Sequence, residues 1–192
     1  MASNGSKSLK NDLIKLSLTL GLITLFVAAV LALINAVTAP KIEEIKQQKL
    51  AEAIAVVMPG AAEYEDVSEN VLASWTSNVP LVTAQIARDT NGEIIGYCVE
   101  VQPKGYSDII DMMVGVNASG EIVDSSIISI SDTPGIGSQV ATDPDFAAQF
   151  KGKTQTANTT LISGATYSST GFTNGINAAL AAYRIMAEEG TK

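Results

Sequence analysis

A run of small and hydroxyl-bearing side chains occupies residues 162–169 (ISGATYSS), directly before the last helical pattern of the chain. Ser163, Gly164 and Ala165 leave the backbone nearly bare, so a large ligand or a modifying enzyme can approach it closely. Thr166 adds a secondary hydroxyl on a stiff β-branched side chain. The start of a helix presents unpaired N–H groups and the positive end of its dipole, which suit a phosphate. We therefore predict that Thr166 carries a phosphate group.

Two further stretches are predicted to act with this run. Ser168, Ser169 and Thr170 are candidates to cap the N-terminus of the last helix. Residues Asp132–Gly137 hold two glycines and one proline, which predicts a tight, stiff loop whose backbone can approach a ligand closely.

Composition excludes several classes of function. The chain has no histidine, which removes Ser-His-Asp and Cys-His catalysis and most zinc sites. Its net charge of −8 argues against a nucleic-acid partner, because phosphate binding needs a basic face. Cys98 is the single cysteine and lies in an apolar alternating run, so we expect a small core residue rather than a reactive thiol. We predict no metal site.

An uncharged segment near the N-terminus, Leu16–Pro40, predicts a transmembrane helix. Its apolar part spans about 33 Å at ~1.5 Å per residue, enough for a bilayer core of ~30 Å. A buried core helix is disfavoured because the segment is apolar on every face. A cleaved signal peptide is disfavoured because the run is longer than ~7–15 residues and Pro40 would begin the mature chain. We expect Pro40 to break or kink the chain as it leaves the membrane.

The elements that follow predict one α+β domain. Lys41–Met58 shows helical spacing of apolar residues, and the final segment repeats that spacing after residue 170. Between them the alternation of apolar residues and the turn sequences predict four strands in an antiparallel meander, followed by a short helix. The predicted strands and short helix are Val82–Ala87, Ile94–Val101, Ile109–Val116, Ile122–Ile130 and Asp143–Phe150.

Taken in order, these features resemble the FMN-binding G subunit of the Rnf electron-transport complex and, more distantly, the C subunit of the sodium-pumping NADH:quinone oxidoreductase. The matching features are the anchor, Gly105-Tyr106, the loop Asp132–Gly137 and the motif Ser163–Thr166. The loop differs from the family pattern because Asp132 and Ile136 replace the usual Glu and Leu, and the family's frequent His before the loop is absent.

The resemblance implies that FMN is bonded to Thr166 through a phosphoester and that the chain relays electrons as one subunit of an ion-translocating ferredoxin:NAD oxidoreductase. It is therefore not expected to be an enzyme alone, and no residue is assigned a catalytic role. Implied partners are other membrane subunits of the complex and a flavin transferase that installs the FMN. The implied cofactor-binding residues are Thr166, Ser163, Gly164, Ala165, Tyr167, Ser168, Gly105, Tyr106, Thr133, Pro134 and Gly135.

These inferences give an expected topology. Lysines on the N-terminal flank place that end in the cytoplasm and the folded domain outside. The expected segments are a tail over 1–12, a transmembrane anchor over 13–39, a stalk helix over 40–60 and an extracytoplasmic FMN-binding domain over 61–192.

Two other functions share parts of this pattern. A pilin-like structural protein is disfavoured because the apolar run lacks the early Glu and the preceding Gly-Phe of that class. An anchored extracytoplasmic module that holds a phosphorylated ligand without a covalent bond remains the alternative.

Overall fold

The computed structural model of the chain describes residues 3–67, 74–132 and 135–189. The chain divides into two compact units, residues 1–47 and residues 48–192. The elements in chain order are α1 (Ser3–Val57), β1 (Glu63–Asp66), β2 (Leu81–Arg88), β3 (Ile94–Val101), β4 (Ile110–Asn117), β5 (Ile122–Ile130), α2 (Gln139–Thr142), α3 (Pro144–Ala148) and α4 (Thr166–Glu189).

Residues 3–47 of the first unit lie in helix α1. The helix segment Leu13–Val57 contains an 18-residue stretch with a mean hydropathy of 2.6, none of which is buried by other parts of the chain. Within the described residues, this is the one helix long and apolar enough to cross a membrane. Pro40 was expected to break or kink the chain; it lies inside α1, so the helix is not broken there, and the kink stays a prediction. Proline has no N–H, so one backbone hydrogen bond to the carbonyl of Ala36 is lost there.

The second unit is built on a five-stranded sheet in the order β1-β2-β3-β4-β5, with every neighbouring pair antiparallel. This confirms the predicted α+β meander. Strand β1 was not predicted, because three of its four residues are acidic and give no apolar alternation. Strand β1 pairs with β2 and lies at the sheet edge, where charged side chains discourage pairing with another chain.

One face of the sheet packs against helix α4. Val99, Val114 and Ile176 are fully buried there, with Phe146, Phe150 and other apolar side chains around them. Strands β3 and β4 direct alternate residues to this core, because successive side chains of a strand point to opposite faces of the sheet.

The other face is covered by the last residues of α1 and the residue that follows it, among them Ala53, Val57 and Met58. The approach is close because the sheet presents glycine at this point. A Cβ at Gly115 would run into the backbone carbonyl of Val57, and a Cβ at Gly96 would lie 2.6 Å from Met58 Cε. The sheet is therefore packed on both faces within residues 48–192.

Cys98 lies in this second core and is completely buried. Burial raises the pKa of its thiol to about 12. The predicted core position of this cysteine is confirmed.

Candidate functional site

The motif Ser163–Thr166 forms the entry to helix α4. The N–H of Ala165 donates to the carbonyl of Ile162 at 3.0 Å, which closes a four-residue turn. Gly164 is the third residue of this turn and has φ +83°, a left-handed conformation that favours glycine. The turn delivers Thr166 to the first position of the helix.

The buried side chain of Ser169 connects the turn to the helix through hydrogen bonds. Its buried hydroxyl accepts the N–H of Ile162 at 3.2 Å and donates to the carbonyl of Ala165 at 2.9 Å. The same carbonyl accepts the N–H of Ser169 at 2.9 Å, which is the first bond of α4. The predicted N-cap positions are therefore wrong: Ser168, Ser169 and Thr170 lie inside the first turns, since the glycine turn already starts the helix at Thr166.

Thr166 is exposed at this helix start, and its hydroxyl makes no hydrogen bond to another described residue. The first N–H groups of a helix have no partner within it. In α4 these belong to Thr166, Tyr167 and Ser168, while the N–H of Ser169 is the first with a helical acceptor. A free hydroxyl and unpaired N–H groups thus occur together at the positive end of a long helix.

A cavity of about 470 Å³ opens beside Thr166. This volume lies within the range of roughly 300–1,000 Å³ that small-molecule sites occupy. Most of the wall comes from the glycine turn and the first turn of α4. The lining residues are Tyr106, Ile136, Gly137, Gly164, Ala165, Thr166, Tyr167 and Ser168.

Two tyrosines dominate the rim of this cavity. The rings of Tyr106 and Tyr167 lie 5.8 Å apart between centroids, with their planes at 57°. They are 64% and 70% exposed, and Ile136 beside them is 52% exposed. Large apolar surface open to solvent is typical of a binding site, so a planar aromatic ligand fits here.

The buried carboxylate of Asp132 does not line the cavity but binds residues that do. Its Oδ2 accepts the hydroxyl of Ser168 at 2.6 Å and the N–H of Tyr106 at 3.2 Å. Its Oδ1 accepts the N–H groups of Ser107 at 2.8 Å and Asp108 at 3.4 Å. One side chain therefore joins the loop after β3 to the first turn of α4.

This environment favours the ionised carboxylate. Burial raises the pKa of Asp132, but the hydrogen bonds from Ser168 and from the three backbone N–H groups outweigh it and lower the pKa below its ordinary value of 3.8. Asp132 is thus negatively charged at neutral pH, and hydrogen bonds stabilise its charge.

Glycines make room for this carboxylate. A Cβ at Gly105 would lie 2.5 Å from Asp132 Oδ2, and a Cβ at Gly137 would lie 2.7 Å from Asp132 Cβ. Gly171 makes room for the backbone of the loop, since a Cβ there would meet the carbonyl of Lys104. Gly105 is buried and does not line the cavity, so its visible role is close packing.

The structure brings only part of the predicted set together. Ser163 is exposed and lines a separate hollow of about 400 Å³ with Phe146 and Gln149. Gly135 is not part of the cavity wall; its φ is +76° and its N–H donates to Ser138. Thr133 and Pro134 lie outside the described residues.

Other residues enter the site although no individual role was predicted for them. Ile136 and Gly137 line the cavity. Asp132 departs from the family pattern, and no local signal in the sequence shows that it would bond to Ser168 across the fold. For Ile136, the available signal was its place between two glycines in a loop predicted to approach a ligand.

Comparison with known proteins covers most of the chain. The family model described as "FMN-binding domain" matches residues 105–181, and the one described as "RnfG N-terminal region" matches residues 5–57. The G subunit of the Na(+)-translocating ferredoxin:NAD(+) oxidoreductase complex of Acetobacterium woodii is 31% identical over 189 residues, covering 88% of this chain and 91% of the relative. The chain belongs to the RnfG family.

Other members of the RnfG family show a similarly extended match. The G subunit of the ion-translocating oxidoreductase complex of Methanosarcina acetivorans is 28% identical over 179 residues, with 88% of this chain and 93% of the relative covered. The protein of the same name from Shewanella piezotolerans is 28% identical over 152 residues, with 76% and 71% covered.

The matched FMN-binding region contains the whole candidate site, from Gly105 to Ser168. The chemistry of that site suits FMN: unpaired N–H groups at a helix start suit its phosphate, and the exposed tyrosine pair suits its flat ring. The chain therefore contains an FMN-binding domain preceded by a membrane anchor.

Proposed function

We propose that this chain is the membrane-anchored flavoprotein subunit of an ion-translocating ferredoxin:NAD oxidoreductase complex, with FMN bonded through a phosphoester to Thr166. One observation carries the proposal. The exposed hydroxyl of Thr166 stands at the first position of α4, on the wall of the cavity that the tyrosine pair borders, inside the region matched by the FMN-binding family.

Attachment requires an activated flavin nucleotide, because joining an alcohol to a phosphate monoester with loss of water is unfavourable in water. A flavin dinucleotide supplies this activation in its pyrophosphate. Thr166 Oγ1 would lose its proton and form the new P–O bond, while the P–O bond to the nucleoside monophosphate would break and that group would leave with the electron pair. No oxidation or reduction occurs in this step, and a separate flavin transferase catalyses it.

After attachment, the chain's own residues hold the group in place. The N–H groups of Thr166, Tyr167 and Ser168, at the positive end of the α4 dipole, would hold the phosphoester. Tyr106 and Tyr167 offer aromatic faces to the ring. The bound FMN supplies the electron-transfer chemistry of the subunit.

A covalent tether suits the proposed location of the domain. We place the N-terminus in the cytoplasm, α1 across the membrane and the FMN-binding domain outside. A non-covalently held cofactor would be diluted into the surroundings whenever it dissociated, whereas a phosphoester prevents that loss. Electron donors and acceptors are expected among the other membrane subunits of the complex.

The attachment is tested by producing the full chain together with a flavin transferase and measuring the intact mass. We expect a mass increase of one FMN residue, localised to the peptide containing Thr166, and flavin fluorescence that survives denaturation on a gel. Thr166→Ala should abolish both signals. Thr170→Ala is the matched control, because Thr170 is an exposed threonine on the same helix and should leave both signals intact.

A wild-type chain that remains colourless after denaturation in a host with an active transferase would contradict the covalent proposal. If such a chain still bound FMN in its native state, the alternative of a non-covalent phosphorylated ligand would be correct.

A further inference from the structure

We propose that Asp132 is a positioning residue whose carboxylate holds Tyr106 and Tyr167 together as one aromatic surface beside Thr166. The inference deepens the proposed function, because the surface is the one against which the flavin ring packs. The pairing itself is a property of the chain before any flavin is attached, so it can be tested separately.

Two separate segments bear the tyrosines. Tyr106 lies in the loop after β3, and Tyr167 lies in the first turn of α4. A single atom, Asp132 Oδ2, accepts both the N–H of Tyr106 and the hydroxyl of Ser168, which is next to Tyr167. This oxygen therefore ties the backbone of the loop at Tyr106 to the first turn of α4, one turn before the direct packing of Gly171 on Lys104.

The tyrosine side chains themselves give little restraint. Both rings are mostly exposed, and neither phenol hydroxyl is hydrogen-bonded to another described residue. Ring contact at 5.8 Å thus depends on where the backbone places each residue. Asp132, by contrast, is only 5% exposed and is fixed by its donors.

A carboxylate is the side chain that this position requires. The donors that converge on it are one hydroxyl and three backbone N–H groups, and an ionised carboxylate offers acceptors only. Asparagine has nearly the same shape as aspartate, but one of its two terminal atoms is an NH₂ group instead of an oxygen. That NH₂ group would face N–H or O–H donors. Gly105 and Gly137 restrict the space on two sides, so the replacement cannot move away without displacing backbone.

The first experiment uses the full chain without flavin, in detergent micelles, with Asp132→Asn as the test variant. NMR would measure the cross-peaks between the rings of Tyr106 and Tyr167 and the amide hydrogen exchange of Tyr106 and Ser107. The amide oxygen of Asn can still accept the N–H groups of Ser107 and Asp108, and the hydroxyl of Ser168 can accept from the new NH₂ group, but the N–H of Tyr106 then has no acceptor. We expect the cross-peaks to disappear and exchange at the Tyr106 amide to accelerate by at least about tenfold, with a smaller change at Ser107.

Asp108→Asn is the matched control. It removes one carboxylate from the loop after β3, whose N–H groups Asp132 accepts, and the Asp108 side chain accepts only the N–H of Ile109, which an amide oxygen can still accept. Asp108→Asn should therefore behave as the wild type does. Unchanged ring contacts and unchanged exchange in Asp132→Asn would overturn the proposal. An unreactive Cys98 thiol confirms that the variant remains folded.

The second experiment uses the flavin-loaded chain, with loading checked by intact mass. Tyrosine in contact with a flavin quenches its fluorescence by electron transfer. We expect Asp132→Asn to raise the fluorescence yield severalfold, to the level of Tyr106→Ala, whereas Asp108→Asn stays quenched. Combining Asp132→Asn with Tyr106→Ala should add nothing further.

These outcomes separate the two proposals. If Asp132→Asn carries flavin on Thr166 but stays as quenched as the wild type, the positioning role is wrong and the attachment stands. If the wild type carries no flavin on Thr166, the proposed function is wrong, and the measurements on the flavin-free chain decide the role of Asp132.

Discussion

At the scale of single residues, the residues that shape the short turn before α4 are different from the residue that carries the free hydroxyl. Gly164 supplies the left-handed backbone, Ser169 secures the turn, and Thr166 is left with a free hydroxyl at the helix start. Because the hydroxyl that would be modified takes no part in holding the turn, its substitution should remove flavin attachment without removing the fold.

Gly164→Ala tests the importance of the turn. A Cβ at this position meets nothing within 4 Å, so any effect comes from the positive φ alone. We expect the free energy of unfolding to fall by about 1–2 kcal/mol and covalent flavin loading to fall because Thr166 is displaced. Denaturant unfolding and intact mass measure the two quantities.

Gly152→Ala is a suitable comparison for that variant. Gly152 also has a positive φ, +72°, and open space around its Cβ, but it does not line the cavity. It should lose similar stability and keep full loading. Equal loss of loading in both variants would show that instability, rather than the turn, limits attachment.

The charge state of Asp132 predicts a pH dependence. Its pKa in the folded chain lies below the ordinary 3.8 that applies when the chain is unfolded. Its contribution to stability is therefore complete above pH 3.8 and is lost as the pH falls through the lower, folded-state pKa. Denaturant unfolding at a series of pH values should show wild type and Asp132→Asn converging below pH 3.8 and differing well above it. A difference that does not depend on pH would contradict this assignment.

A hydroxyl in a run of small residues at a helix start leaves a local pattern, and this pattern was enough to predict a phosphate at Thr166. Tyr106 and Tyr167 were expected only because of the family resemblance, and all three residues line one cavity. The role of Asp132 could not be predicted in this way, because it depends on bonds to Tyr106 and Ser168, which are distant along the chain. Nothing in the sequence around the two glycines that make room for Asp132 indicates that a carboxylate packs against them.

At the scale of elements, the strands of the meander follow from apolar alternation and from two turns that begin with Asp89 and Asn117. Each of these side chains accepts N–H groups within its own turn, and Gly92 and Gly120 follow at positive φ. Strand β1 was missed because its pairing with β2, rather than its composition, makes it a strand.

Helix α1 differs from its prediction for a related reason. Proline at residue 40 suggests a break when it is taken alone, but the sequences on both sides favour helix, and the loss of one backbone hydrogen bond is small beside those that a 55-residue helix keeps. The segment boundaries proposed around Pro40 stay predictions.

Gly115→Ala tests how the end of α1 is held on the sheet. The new methyl group would overlap the carbonyl of Val57, a backbone atom that cannot rotate away. We expect a loss of roughly 1–3 kcal/mol in the free energy of unfolding, as for other overpacked cores, measured by thermal or denaturant unfolding of the full chain in detergent. A variant as stable as the wild type would show that this contact yields easily.

At the scale of the whole molecule, the proposed orientation can be tested with the native thiol in place. Cys98 is fully buried and its pKa is about 12, so it should not react with a maleimide while the domain is folded. Thr90→Cys places a new thiol in the exposed turn between β2 and β3. We expect a membrane-impermeant maleimide to label this variant in intact cells and to leave the wild type unlabelled.

Ser6→Cys provides the complementary variant at the N-terminal end. It should be labelled only after the membrane is permeabilised, if that end is cytoplasmic. Labelling of Ser6→Cys in intact cells, with Thr90→Cys protected, would reverse the proposed topology.

The meander has a consequence for the order of folding. Every strand pairs with its neighbour in the chain, so the sheet can grow strand by strand as the polypeptide emerges, without waiting for later segments. The cavity cannot form in this way, because it joins the Tyr106 loop to residues at the start of the last helix. The wall of this cavity is therefore completed only after the sheet has formed.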